Sequence, residues 1–178
     1  TFQQGAAAYE KRGVSVTVPE WTAETCAQCN QCAYVCPHAT IRPYTLTAEE
    51  AAAAPEGTKM VDHKMSKGKY KYALAVSPLD CMGCSVCVSV CPTKSLKMVG
   101  QESQLGEQKV FDYMVKDVTV KADVAGTDNV IKSQYLKPYL EFSGSCAGCA
   151  ETSYARLVTQ LFGNRMYVSN ATGCSSIW

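Results

Sequence analysis

Cysteine spacing constrains this chain more than any other feature. Eight of its eleven cysteines fall into two copies of one pattern, Cys26-x2-Cys29-x2-Cys32-x3-Cys36-Pro37 and Cys81-x2-Cys84-x2-Cys87-x3-Cys91-Pro92. The other three are the pair Cys146-x2-Cys149 and a later Cys174. Repetition of a four-thiol run means that the fold must be built around the sulfurs.

Three cysteines at x2 intervals in a tight loop can turn their sulfurs to one centre and grip three irons of a cubane cluster. The spacing is that of bacterial ferredoxins, in which the fourth cysteine ligates the other cluster. On that rule Cys26, Cys29, Cys32 and Cys91 hold one 4Fe-4S cluster, and Cys81, Cys84, Cys87 and Cys36 hold the second. Pro37 and Pro92 fix the backbone as it leaves each site. Disulfides would need an oxidising compartment and would not repeat the run. Zinc more often takes two separated Cys-x2-Cys knuckles without a Cys-Pro ending. The last group supplies only three thiols, Cys146, Cys149 and Cys174, so a third cluster would take its remaining ligand from elsewhere.

The 178 residues suffice for one or two small domains. A net charge of +1 gives no argument for nucleic acid or a membrane surface. No apolar run reaches transmembrane length, and no signal peptide opens the chain. Oxygen-sensitive clusters point to the cytoplasm of an anaerobically living cell. The chain does not begin with Met and stops just after a cysteine loop, which reads as a piece of something longer.

Residues 1–20 form a lead-in, with Gly13 to Pro19 alternating as a short strand. Residues 21–100 are the two-cluster domain, interrupted by an insertion over 44–72. Within it, Thr47-Ala48-Glu49-Glu50 is a capping box ahead of four alanines, so a short helix is expected up to Pro55 and Gly57. Lys64, Lys67, Lys69 and Lys71 read as a solvated loop, or as a basic docking patch for an acidic electron carrier. Tyr70 to Val76 and Leu96 to Val99 read as strands. Residues 101–138 read as a connector wrapping a surface, without a core of their own.

Residues 139–178 read as strand–helix–strand. Tyr139 to Phe142 and Arg165 to Ser169 are the strands, joined by a right-handed crossover. The helix is capped by Thr152 or Ser153, carries Leu157, Val158, Leu161 and Phe162 on one face, and stops at Gly163-Asn164. Both cysteine loops would then leave the carboxyl ends of parallel strands, where open α/β sheets bind ligands. That arrangement can bring Cys174 beside Cys146 and Cys149; the bland alternative is a buried thiol at a strand end. His38 reads as a surface histidine, or as a hydrogen-bond donor to cluster sulfur. His63 reads as loop, and Trp21 and Tyr34 as packing against a cube. Ser143, Ser145, Ser175 and Ser176 have no paired His–Asp pattern.

The residues Glu10 to Val14 and Cys26 to Cys32, Phe142 to Cys149, Glu151-Thr152, Thr159 to Gly163, and Asn170 to Trp178 together resemble pyruvate:ferredoxin oxidoreductase. The likeness covers nearly the whole chain, and Asn170 to Trp178 makes it specific. The resemblance implies an α+β chain: a two-cluster ferredoxin-like domain followed by the start of an α/β thiamine-diphosphate domain. It implies oxidative decarboxylation of pyruvate with coenzyme A to acetyl-CoA, with electrons leaving through three 4Fe-4S clusters to ferredoxin or flavodoxin. Cys146, Cys149 and Cys174 match ligands of the cluster nearest thiamine, whose fourth ligand lies far downstream. Glu151 and Cys174 match positions lining the cofactor, although Glu151 also reads as a helix N-terminal carboxylate. The magnesium-binding Gly-Asp-Gly segment and the pyruvate-binding domains are absent here, so this segment alone is expected to be inactive. A homodimer is implied for the full-length protein. The competing reading is a stand-alone eight-iron ferredoxin with a carboxyl-terminal extension.

Overall fold

The computed structural model describes residue 3 and residues 5–177. Helices and strands mix as in an α+β fold. The elements run β1 (Thr17–Trp21), α1 (Gln31–Tyr34), β2 (Ile41–Leu46), α2 (Ala48–Ala52), β3 (Val61–Asp62) and β4 (Lys71–Val76). They continue with α3 (Val86–Ser89), β5 (Leu96–Gly100), α4 (Glu107–Asp117), α5 (Val130–Ser133) and α6 (Ala150–Phe162).

Two antiparallel pairings frame the cysteine loops. β1 pairs with β5, Thr17 opposite Gly100 and Trp21 opposite Leu96. β2 pairs with β4, Ile41 opposite Val76 and Leu46 opposite Lys71, and β3 adds to the other edge of β4. The strand expected over Gly13 to Pro19 begins later, at Thr17. β2 was not anticipated as a strand, because Pro43 interrupts it. Proline is tolerated there because β2 is an edge strand in the order β2-β4-β3.

β4 is buried on both faces, and its alternation splits two cores. Tyr72, Leu74 and Val76 point to one side, with Trp21, Ile41, Leu96, Tyr135, Cys36 and Cys87. Ala73 and Ala75 point to the other, with Leu46, Val110, Phe111, Met114 and Phe142. The small alanines admit α4 close against the strand. The expected connector therefore contains an eleven-residue helix that supplies a core. Its Val110, Phe111 and Met114 fall at helical spacing on one face.

The helix expected after Thr47 is α2. Thr47 Oγ1 accepts from the Glu50 N–H at 3.2 Å, and Glu50 Oε2 accepts from the Thr47 N–H at 2.9 Å. The Glu50 carboxylate also takes Lys121 Nζ at 2.6 Å and the Thr119 N–H at 3.0 Å, which ties the segment after α4 to the insertion.

The carboxyl-terminal segment departs from the expected strand–helix–strand. Neither Tyr139 to Phe142 nor Arg165 to Ser169 forms a strand among the described residues. The Phe142 N–H instead donates to the His38 carbonyl at 2.9 Å, so its hydrogen-bonding goes to a loop and not to a ladder. Helix α6 begins at Ala150, ahead of the expected caps, with Cys149 at the N-cap. It docks by its polar face: Thr152, Arg156 and Gln160 are buried, whereas Val158 and Phe162 of the expected apolar face are exposed.

Candidate metal centres

The backbone of each cysteine run repeats at an offset of 55 residues. Gln28, Asn30 and Ala39 have φ of 58°, 55° and 53°. Their counterparts Gly83, Ser85 and Lys94 have 66°, 62° and 53°. Left-handed residues alternating with ordinary ones turn successive N–H groups inward, the backbone nest found at many iron–sulfur sites. Accordingly the Gln28 N–H points to Cys26 Sγ and the Gly83 N–H to Cys81 Sγ, both at 3.4 Å. The Ser95 N–H points to Cys91 Sγ at 3.2 Å. Such donors stabilise sulfur that carries negative charge.

The two loops solve the same backbone problem differently. At Gly83 a Cβ would stand 2.4 Å from Ser15 Oγ and 3.0 Å from the Thr17 carbonyl, so β1 passes too close for a side chain. At Gln28 there is room, and its amide is used: Nε2 donates to the Asp62 carbonyl at 2.8 Å and Oε1 accepts from the Lys64 N–H at 2.8 Å. Asn30 anchors the same loop, accepting from Tyr72 Oη at 3.0 Å and donating to the Ile131 carbonyl at 3.2 Å.

Two small cavities each gather four cysteines. Cys26, Cys29, Cys32 and Cys91 line one, with Trp21, Tyr72 and Leu96. Cys36, Cys81, Cys84 and Cys87 line the other, with Ile41, Val86 and Met98. Each set takes three thiols from one half of the repeat and one from the other. All eleven cysteines are free thiols. Among the described residues no three His, Cys, Asp or Glu side chains converge as the ligands of one ion would. The sulfurs surround a space instead of a point, a donor set suited to a polynuclear thiolate-bound group.

Burial pushes the Cys32 thiol up, and the neighbouring cysteines add to it. Burial likewise raises Cys87, and it raises Cys81 to about 11 against the opposing Gly83 N–H. Without a metal these thiols keep their protons, so loading a cluster must release them. Buried in apolar walls, thiolates here would need the positive charge of a bound metal to hold them.

The remaining thiols form no comparable cradle. Cys146 is exposed and Cys149 half-buried. Cys174 is exposed on a separate turn, Cys174–Ser176. The two strands that were to carry these loops to one edge are not formed among the described residues. The Thr152 N–H lowers the Cys149 thiol. Glu151 is exposed in the first turn of α6. The Cys146–Cys149 loop nevertheless abuts the second cavity: a Cβ on Gly148 would meet Cys84 Cβ at 3.4 Å and Val86 Cγ2 at 3.6 Å.

Both histidines are buried; His38 departs from the expected surface position, whereas His63 lies in a loop as expected. His38 Nδ1 lies 3.1 Å from the Ser143 carbonyl, and burial lowers its pKa. A chain of hydroxyls continues from it: Ser143 to Ser145 at 2.9 Å, Ser145 to Thr152 at 3.0 Å, and Thr152 to the Cys149 carbonyl at 3.0 Å. His63 Nε2 lies 3.2 Å from Tyr135 Oη, its ring parallel to Tyr72. A chemistry-free sequence cue existed for neither. Trp21 is buried at the first cavity, and Tyr34 is half-buried on α1. Of the lysines, Lys69 pairs with Asp123 and Lys71 with Asp62, both at 2.6 Å. Lys64 Nζ reaches the Cys26 carbonyl at 2.9 Å. Among the described residues no helix is long and apolar enough to cross a membrane.

Residues 25–95 match the family model of the 4Fe-4S dicluster domain. Over its full length the chain is 53% identical to a pyruvate-flavodoxin oxidoreductase of Klebsiella pneumoniae, and covers 15% of that protein. It is 49% identical over 99% of its length to a pyruvate:ferredoxin oxidoreductase of Moorella thermoacetica, again covering 15%. It is 44% identical over its full length to the mitochondrial pyruvate dehydrogenase (NADP+) of Euglena gracilis, covering 10%. The chain thus spans about 15% of the length of the first two relatives. With a dicluster match at its centre and such identity from end to end, the chain is similar to one segment of the pyruvate-flavodoxin and pyruvate:ferredoxin oxidoreductases.

Proposed function

We propose that this chain is the electron-relay segment of an enzyme that oxidatively decarboxylates pyruvate with coenzyme A and passes the electrons to ferredoxin or flavodoxin. The observation that carries the reading is the sorting of eight thiols into two crossed sets of four. Cys26, Cys29, Cys32 and Cys91 would hold one 4Fe-4S cluster, and Cys36, Cys81, Cys84 and Cys87 the other. A bound cluster supplies reversible one-electron storage. The protein's part is to supply thiolates, aim N–H groups at their sulfurs and keep water out with Trp21, Tyr72, Ile41 and Met98.

Cys146, Cys149 and Cys174 are proposed as ligands of a third cluster completed by residues outside this segment. The domain division follows: the two-cluster domain over 21–100, the connector over 101–138, and from 139 the start of a thiamine-diphosphate domain, with Glu151 near that cofactor, which the full-length protein would bind with magnesium. Packing of the Gly148 turn on Cys84 favours the cluster of Cys36, Cys81, Cys84 and Cys87 as the first to receive an electron from the third. The cluster of Cys26, Cys29, Cys32 and Cys91 then stands at the exit, beside Lys64, whose Nζ reaches the Cys26 carbonyl and suits an acidic carrier protein. The full-length protein is proposed as a cytoplasmic homodimer.

The test is reduction of a viologen dye by the full-length protein under anaerobic conditions. Reduction that requires both pyruvate and coenzyme A supports the assignment. Reduction supported by 2-oxoglutarate or 2-oxobutyrate and not by pyruvate overturns it.

A further inference from the structure

Among the described residues, Arg156 is the buried lysine or arginine without an anionic partner. It is 4% exposed, on the inward face of α6, two turns beyond Cys149. Its guanidinium donates to the Ala33 carbonyl at the end of α1 and to Gln134 Oε1 at 3.3 Å, while Nε has no partner. The other buried cations differ. Arg42 is paired with Glu141, and Lys121 with Glu50. Among the described residues no carboxylate lies within ion-pair distance of Arg156.

A buried, unpaired cation is costly, so its counter-charge must be sought nearby. Burial disfavours the charged guanidinium; Cys36 opposes that effect and Arg42 adds to it. The Ala33 carbonyl that takes the Arg156 guanidinium also accepts from the Cys36 N–H at 3.3 Å, and Cys36 lies in the second cavity. Neither cavity is lined by a lysine or arginine, so the charge of Arg156 would act on the second from outside its wall. Lys64 near the first is exposed and screened by solvent.

We propose that Arg156 is an electrostatic positioning residue that holds the reduction potential of the Cys36–Cys81–Cys84–Cys87 cluster above the value its thiolate cage alone would set. One electron arriving at a cluster adds one negative charge. A fixed guanidinium in a poorly screened interior stabilises that reduced state more than the oxidised one. The charge comes from the helix that starts at Cys149, so the segment bearing the third cysteine group tunes the two-cluster unit. The inference rests on the cluster assignment proposed above.

The experiment is a redox titration of the anaerobically loaded protein, followed by electron paramagnetic resonance, for wild type, Arg156→Met, Arg156→Gln and Arg156→Lys. The expected result is a lowered midpoint for one cluster in the two uncharged variants. The reduced-to-oxidised ratio at fixed poise should fall about tenfold, 59 mV for a one-electron couple. The other cluster and Arg156→Lys should stay near wild type. Should both uncharged variants lose their clusters, Gln134→Glu provides the reading with Arg156 intact: a carboxylate beside the guanidinium lowers the same midpoint. Unmoved midpoints in a variant that keeps its iron and sulfide overturn the inference, because a purely structural cap on α1 would alter stability alone. Wild-type protein without iron and sulfide would instead refute the cluster assignment beneath it.

Discussion

Cys36 shares a cavity with Cys87, a residue of the opposite half of the repeat, and Cys91 shares the other cavity with Cys32. The exchange makes each half incomplete without the other. Cys36→Ser should therefore lower iron and acid-labile sulfide to about half, and so should Cys91→Ser. The crossing is tested by pairing variants. Cys36→Ser should abolish the same paramagnetic signal as Cys81→Ser, and Cys91→Ser the same signal as Cys26→Ser. If Cys36→Ser instead matches Cys26→Ser, the sets are not crossed.

Gly83 has φ of 66°, and a side chain there would strike Ser15 and Thr17 of the lead-in. Gly83→Ala should destabilise the protein by about 1–3 kcal/mol through strain and displacement of β1. Gln28 occupies the matching position with a similar φ and no such obstruction, so Gln28→Gly should cost less. Denaturant midpoints of the loaded proteins check the ordering.

These two positions also mark how far the sequence reaches. The cysteine spacing carried the crossed sets, because it encodes a ligand geometry that few folds satisfy. Thr47 and Glu50 gave α2 for the same reason: a cap is a local bargain between two side chains and two N–H groups. Helix α4 was equally readable from Val110, Phe111 and Met114, yet surrounding Gln, Lys and Asp residues disguised it as connector. Residues 139–178 misled because β-branched and aromatic residues suggested strands. Strands need neighbours to pair with, and Phe142 finds His38 instead. Nothing local in Arg156 or His38 announces burial, since that depends on contacts more than a hundred residues away.

Met114 is fully buried against Ala73, Ala75 and Phe142. Met114→Ala should cost about 2–5 kcal/mol. A loss under about 1 kcal/mol in denaturant unfolding would show that α4 is not integral to the core.

Glu50 gives a pH dependence with a definite sign. Burial would raise its carboxyl, but Lys121, Thr119 and Thr47 outweigh that and hold it at about 2, against 4.5 when free. A lowered acid contributes stability fully above its unfolded value and loses it as pH falls through its folded value. Glu50→Gln should thus cost about 3 kcal/mol near neutrality, because it strands the buried Lys121 ammonium. The difference between wild type and variant should hold from pH 8 to pH 5, then shrink below about pH 4.5. Comparing the two proteins at each pH cancels any acid lability they share. A difference that grows on acidification would contradict the network.

The central claim is that these thiols cage iron–sulfur cubes, and chemical analysis of anaerobically prepared protein tests it most directly. The account predicts about eight iron and eight acid-labile sulfide per chain in the two crossed sites, before any third cluster completed from outside. Zinc in place of iron, with no sulfide released by acid, would contradict it.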